Sequence, residues 1–157
     1  MKIDFHREVD CPQALAFEYY ADRDKDAEWW GGTVSTTRIS EVARGVGERN
    51  RQVQKYYGLP FTATIEVEVV EWEPPHRWRE ICNSGFVYYD VWYVVDKLDE
   101  RRSRVSLVGE AQLKGIMKLL YPLAKGLLER QTNQNYDLLK QKLDALGAAA
   151  VATRKAA

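Results

Sequence analysis

Two hydrophobic periods divide the chain. From Thr33 to Leu113 apolar and polar residues alternate, as they do along half-buried strands, and beyond Gly115 the apolar residues recur at helical spacing. The clearest strand starts at Phe61. There Ala63, Ile65, Val67 and Val69 alternate with Thr62, Thr64, Glu66 and Glu68, and the run stops at Glu73-Pro74-Pro75. The same period predicts strands over 34–42, 49–56, 77–83, 86–97 and 104–113, separated by turn residues such as Arg44-Gly45-Val46-Gly47, Tyr57-Gly58-Leu59-Pro60 and Ser84-Gly85. Ahead of them, Ile3, Phe5 and Val9 alternate with Asp4, His6 and Glu8 in an opening strand. Pro12 then starts a short helix, and a second covers 23–29 before Gly31-Gly32 breaks it.

The terminal helix has a lead-in at 115–120, carries Pro122 near its first turn and runs to about residue 146. Gly147 reads as its cap, and the alanine-rich 147–157 as a tail that frays. With Leu120 at zero and ~100° per residue, Ile116, Leu120, Ala124, Leu127, Leu138 and Leu146 share one face. Gln131 falls at the centre of that face, flanked by Gln134 and Asn135. A buried amide without a partner costs roughly 1–3 kcal/mol. Either this stripe faces a cavity holding water or a ligand, or the amides bond backbone carbonyls across a dry interface. Both readings stay open here.

The element order is strand, two short helices, six strands, long helix. Short turns between consecutive strands make an antiparallel sheet, and the terminal helix is the element long enough to cover it. The expected fold is therefore α+β: a curved sheet of about seven strands around the C-terminal helix. The space between them is plugged at one end by the short helices.

Composition narrows the function classes. The chain has 157 residues, with 23 basic and 23 acidic side chains well mixed. Nucleic acid, anionic membranes and acidic substrates usually leave a one-sided charge pattern instead. Arg101, Arg102 and Arg104 form the nearest cluster and read as a solvated hairpin tip. Cys11 and Cys82 lie far apart in no metal or redox spacing, and two reduced thiols are expected. The charged opening strand does not read as a signal peptide, and no stretch approaches the ~20 apolar residues of a membrane span. These features predict a single cytoplasmic domain over 1–146, followed by the tail.

Several local features, in this order and spacing, resemble the START-like helix-grip superfamily (SRPBCC), which includes polyketide cyclase/dehydrase-like and lipid transport proteins. They are Val9-Asp10-Cys11-Pro12 leading to Phe17, the Trp29-Trp30 pair, Gly45-Val46-Gly47, and Val69-Val70-Glu71-Trp72-Glu73-Pro74-Pro75. Ser103-Arg104-Val105-Ser106-Leu107 and Asn135 through Leu138-Leu139-Lys140 complete the set. The resemblance covers nearly the whole chain. It implies the helix-grip fold and a cavity between sheet and helix that takes lipids, sterols, hormones or polyketides. It does not imply which chemistry occurs there.

The usual catalytic and metal motifs are absent, and no cofactor is expected. His6 shares its strand phase with Asp4 and Glu8 and reads as solvent-facing, while His76 follows two prolines in a turn. Aromatics are more informative: Trp29, Trp30, Tyr56, Tyr57, Tyr88, Tyr89, Trp92 and Tyr93 offer broad apolar faces with polar handles. Ordinary core packing is their alternative. Strand 86–97 has two phases, Val87, Tyr89, Val91, Tyr93 and Val95 against Tyr88, Asp90, Trp92 and Val94. Hydrophobicity favours the first phase inward. The resemblance favours the second, because cyclases carry a comparable Trp facing the pocket, and the second is adopted here. Asp90 then needs a partner, for which Arg51 is the candidate. Strand 49–56 is polar in both phases, so whichever faces inward brings polar groups to the cavity, unless it lies at an edge.

The expected function is binding of a small, mostly apolar ligand such as a lipid, quinone or polyketide. Trp29, Trp30, Arg51, Tyr88, Asp90, Trp92, Leu127, Gln131 and Asn135 are the candidate binding residues. An aromatase/cyclase acting on a poly-β-ketone is the alternative, weakened because the apolar phase of strand 61–73 (Phe61, Ala63, Ile65, Val67 and Val69) lacks the Arg that the cyclases it resembles carry there, for which only Arg51 or Arg79 could substitute from other strands. A third reading is a lipid carrier with transient membrane contact, for which 113–128 is apolar with scattered lysines. The implied partner is a small apolar ligand, with no nucleic acid and no stable membrane insertion; a homodimer stays open.

Overall fold

The structure is a computed structural model and describes residues 1–55 and 62–156. Strand β1 (Lys2–Val9) leads through Pro12 into helix α1 (Gln13–Tyr20). A 3-10 turn over Arg23–Lys25 follows, capped by the Asp22 carboxylate on the Asp24 N–H, and continues into the single-turn helix α2 (Asp26–Trp29). Six strands come next: β2 (Thr33–Arg38), β3 (Arg49–Lys55), β4 (Thr62–Glu73), β5 (Arg77–Asn83), β6 (Val87–Lys97) and β7 (Ser103–Leu113). The chain closes with helix α3 (Ile116–Ala156), 41 residues and so about 60 Å long. This is the helix-grip α+β fold expected from the sequence.

The seven strands form one antiparallel sheet in the order β1-β7-β6-β5-β4-β3-β2. Each strand from β2 to β7 pairs with its neighbour in sequence, and β1 closes against β7 with Phe5 opposite Leu107. The alternation in β4 sorts as its pattern predicts: Ala63, Ile65, Val67 and Val69 are buried while Thr62, Thr64 and Glu68 are exposed. In β3 the amide phase is the buried one, with Asn50, Gln52 and Gln54 inward and Arg49, Arg51 and Lys55 outward. The main core lies between the sheet, α1, α2 and the middle of α3. Phe17, Tyr20, Trp29, Trp78 and Tyr136 are among its buried rings. Cys11 and Cys82 are free and buried. Burial pushes both thiols up to about 11, which keeps them protonated and poorly nucleophilic at neutral pH.

Helix α3 departs from its expectation in three ways. It begins at Ile116 with Pro122 inside it. It continues past Gly147 to Ala156, so Gly147 lies inside the helix and does not cap it. That glycine is buried mid-helix, where a Cβ would strike the Asp10 carbonyl, and only hydrogen permits the approach. Finally, the buried face is rotated by roughly one residue, ~100°, from the expected stripe. Met117, Gln131, Asn135, Tyr136, Leu139 and Leu143 are buried, while Ile116 and Leu127 are exposed.

Candidate ligand cavity

A cavity of about 240 Å³ lies between the concave face of the sheet and the first half of α3. Its walls are mainly apolar. Phe5 comes from β1, Ile65 from β4, Tyr89, Val91 and Tyr93 from β6, and Leu107 and Ala111 from β7. Met117, Tyr121 and Leu128 of α3 form its roof, and Tyr20, Trp29 and Trp30 close it from the short helices. The rings of this wall and the core behind it pack mostly edge to face, with one stacked pair, both arrangements that aromatic quadrupoles favour. Tyr20 meets Trp29 at 5.4 Å and Trp78 at 5.0 Å between centroids, and Trp78 stacks on Tyr93 at 4.6 Å. The Tyr20 and Tyr136 hydroxyls hydrogen-bond to each other. Burial pushes the Tyr20, Tyr93 and Tyr136 phenols up, so they stay neutral.

One corner of the cavity is polar, and a series of contacts runs through it, short at Trp30 and Gln54 and longer at Asp26. Trp30 Nε1 donates to Gln54 Oε1 (2.9 Å), Gln54 Nε2 to Gln52 Oε1 (2.8 Å), and Gln52 Nε2 to Asp26 Oδ2 (3.5 Å). Beyond Asp26 stands Arg23, whose guanidinium contacts Glu80 and lies 3.8 Å from both Asp26 and Glu48. Trp78 Nε1 donates to Glu80 (2.7 Å) and Asn50 Nδ2 to Glu48 (2.8 Å). Burial pushes the Asp26 carboxyl up to about 6, against the pull of Arg23. Burial also acts to lower Arg23, but Asp26, Tyr93 and Glu48 outweigh it and hold the guanidinium above its ordinary value.

The amides of α3 do two things. Asn135 Oδ1 accepts from the Gly31 N–H (2.9 Å), and Gln131 Nε2 donates to the Gly31 and Lys55 carbonyls (3.3 Å each). They thus tie α3 to the loop after α2 and to the end of β3, Gln131 through backbone carbonyls and Asn135 through a backbone N–H instead. Both residues also line the cavity. Gln134 is exposed.

Of the sequence-selected residues, the structure brings Trp29, Trp30, Gln131 and Asn135 to the cavity. It places the others elsewhere. Arg51 is on the outer face, paired with Glu66 at 2.8 Å, because β3 turns its amide phase inward. The inward phase of β6 is Val87, Tyr89, Val91, Tyr93 and Val95, which corrects the adopted phase. Asp90 finds its partner outside: Arg79 grips it through both carboxylate oxygens at 2.7 and 2.8 Å. Beside it, Trp92 lies under the Arg77 and Arg79 guanidinium groups, 4.5 and 5.6 Å from its ring. Tyr88 shares that outer phase, and Leu127 is 45% exposed on the far side of α3. Tyr56, Tyr57, Phe61 and the side chain of Ala124 lie outside the described residues. Sequence reasoning missed Arg23 and Asp26. The one available signal was a charged pair three residues apart on a helix destined for the cavity end.

The family model for polyketide cyclase/dehydrase and lipid transport proteins matches residues 1–146. The chain belongs to this family. No curated protein matches the chain by sequence. Among solved structures, a Thermus thermophilus protein is similar at TM-score 0.72 and 19% identity, over 96% of this chain and 99% of that one. The Zhui aromatase/cyclase from Streptomyces sp. R1128 is similar at TM-score 0.72 and 13% identity, over 92% and 93%. A START superfamily protein from Mycobacterium smegmatis gives TM-score 0.69 at 12% identity, over 92% and 98%. At such identities these likenesses establish the shared fold of this polyketide cyclase/dehydrase-like chain. Among the described residues no group of His, Cys, Asp and Glu could hold a metal ion, and no helix is long and apolar enough to cross a membrane.

Proposed function

We propose that this polyketide cyclase/dehydrase-like protein binds a small, mostly apolar, ring-bearing ligand between the sheet and α3. The observation that carries the reading is the mainly apolar, aromatic-walled cavity with a few polar groups on its wall, the usual make-up of a small-molecule site. Its volume of about 240 Å³ is near the lower end for such sites (~300 Å³), which favours a compact quinone- or polyketide-like molecule over a long acyl chain. Trp29, Trp30, Gln131 and Asn135 are the sequence-selected residues that serve this role.

Two alternatives each have an observation behind them. A cyclase-type enzyme would draw on Arg23 and Asp26, a cation and a proton-carrying group on the cavity wall. A lipid carrier with transient membrane contact would draw on Ile116, Leu119, Leu123 and Leu127, which project from α3 away from the cavity.

The test is titration with the neutral apolar fluorophore N-phenyl-1-naphthylamine, alongside native mass spectrometry for a co-purified molecule. Ala111→Phe fills the cavity from β7. It should weaken fluorophore binding about tenfold or more, equivalent to ~1.4 kcal/mol, while the circular dichroism stays folded. Equal binding by a folded Ala111→Phe chain would place the ligand elsewhere.

A further inference from the structure

The polar corner has more carboxylates than cations to serve them. Asp26, Glu48 and Glu80 surround one guanidinium, Arg23. Glu80 takes the closest Arg23 contact and the Trp78 N–H, and Glu48 takes the Asn50 amide. Asp26 is left with two long contacts, Gln52 at 3.5 Å and Arg23 at 3.8 Å, both on Oδ2. Its Oδ1 accepts no hydrogen bond from a described residue, and of the three carboxylates it alone lines the cavity. The other charged groups felt by Asp26 are Asp22 and Asp24 before α2 and Glu48 before β3, all acidic. Lys125 also lines the cavity but is exposed on α3, 3.8 Å from Glu129. A buried carboxylate so poorly served is costly to the fold, and such groups cluster at functional sites.

A second, independent observation concerns donors. Trp29 and Asn135 are 3% and 4% exposed and line the cavity, yet the Trp29 Nε1 and Asn135 Nδ2 atoms have no hydrogen-bond partner among the described residues. Trp29 stands three residues after Asp26, hence on the same side of α2. The cavity wall therefore carries an acceptor in need of a donor and two donors in need of an acceptor.

We infer that the Asp26 corner selects the ligand's polar group: it takes a neutral hydroxyl on an aromatic ring and rejects the corresponding carboxylate anion. The inference rests on the cavity being the ligand site, as proposed above. A hydroxyl donates its proton to Asp26 and accepts from an indole or amide N–H at once. A carboxylate would satisfy the donors but add a further negative charge beside Asp26. A ketone leaves Asp26 unserved, and an ammonium offers the two N–H groups no lone pair. Trp29, Trp30, Tyr89 and Tyr93 supply the flat walls that suit the ring.

The test compares 2-naphthol, 2-naphthoate, 2-acetylnaphthalene and 2-naphthylmethylamine at pH 7.5 by tryptophan fluorescence and calorimetry, with N-phenyl-1-naphthylamine as reference. The naphthol should bind at least about tenfold more tightly than the other three, the difference one hydrogen bond can make. In Asp26→Asn the naphthol-to-naphthoate ratio should fall to within about threefold, since the repelling charge is gone. Trp29→Phe, which removes the N–H and keeps a ring, should weaken naphthol and ketone alike and serves if Asp26→Asn fails to fold. A naphthoate, ketone or amine binding as tightly as the naphthol overturns the inference, as does an unchanged ratio in folded Asp26→Asn. If N-phenyl-1-naphthylamine binds and none of the four does, the inference fails while the cavity reading survives. If the fluorophore does not bind either, the cavity reading itself falls.

Discussion

At the scale of the residue, Asp26 makes a prediction about stability that needs no ligand. Burial raises its carboxyl from an ordinary 3.8 to about 6. The folded chain therefore holds this proton more tightly than the unfolded one. Below about pH 4 both states are protonated and the group costs nothing. Between pH 4 and 6 the unfolded state ionises first, so stability drains away, and above 6 the full loss is present. Two units correspond to about 3 kcal/mol at most. The exposed, Arg-paired carboxylates Glu8 and Glu73 are held below their ordinary range and act in the opposite sense. The contribution of Asp26 is therefore isolated by difference. Urea unfolding of Asp26→Asn beside the parent should show the variant gaining relative stability from pH 4 to about 6 and levelling off above that. A constant difference across that window would mean that Asp26 is not held up by burial.

At the scale of the element, what the sequence displayed depended on whether a signal lies within one strand or between two. The alternation in β4 and the turn residues around it were enough to place a strand and its inner face. In β6 the apolar phase, taken alone, pointed the right way, and weight given to a Trp facing the pocket in cyclases reversed it. The compensation that lets Trp92 and Asp90 face outward is cross-strand: Arg79 is opposite Trp92 in register and reaches Asp90. No reading of 86–97 by itself contains that pairing. Helix α3 shows the same limit. Its first turns are apolar on two sides, so the stripe fixed by Ile116 and Leu127 missed the buried face of the later turns.

Gly147 extends the point and can be tested. Inside a helix, glycine normally costs roughly 0.5–1 kcal/mol relative to alanine. Gly126 is exposed with nothing near its missing Cβ, so Gly126→Ala should stabilise by about that amount. At Gly147 the sign should reverse. A methyl group there meets the Asp10 carbonyl and the Cys11 backbone, neither of which can rotate away as a side chain does. Gly147→Ala should destabilise by about 1–3 kcal/mol, as overpacking does. Thermal unfolding of the two variants decides it, and two shifts of the same sign would contradict the packing of α3 against the start of the chain.

At the scale of the whole molecule, burial along α3 is uneven in a way that bears on how a ligand enters. From Gln131 to Gly147 the helix buries Gln131, Asn135, Tyr136, Leu139, Leu143 and Gly147 against the sheet and the short helices. Over 116–128 only Met117 is buried among the described side chains, while Leu119 and Leu123 are 77% and 83% exposed. Those same turns roof the cavity through Met117, Tyr121 and Leu128. Regions with few buried apolar contacts open at lower free energy than the core, so the roof is the part of this fold best able to part from the sheet. Hydrogen exchange should then show the amides of 118–128 exchanging well before those of 131–146. N-phenyl-1-naphthylamine should slow the first group and leave the second unchanged, because a bound ring supplies the apolar contacts that the roof lacks. Uniform protection along α3 would mean a cavity entered by some other route, and protection of the later turns alone would place the fluorophore against the core.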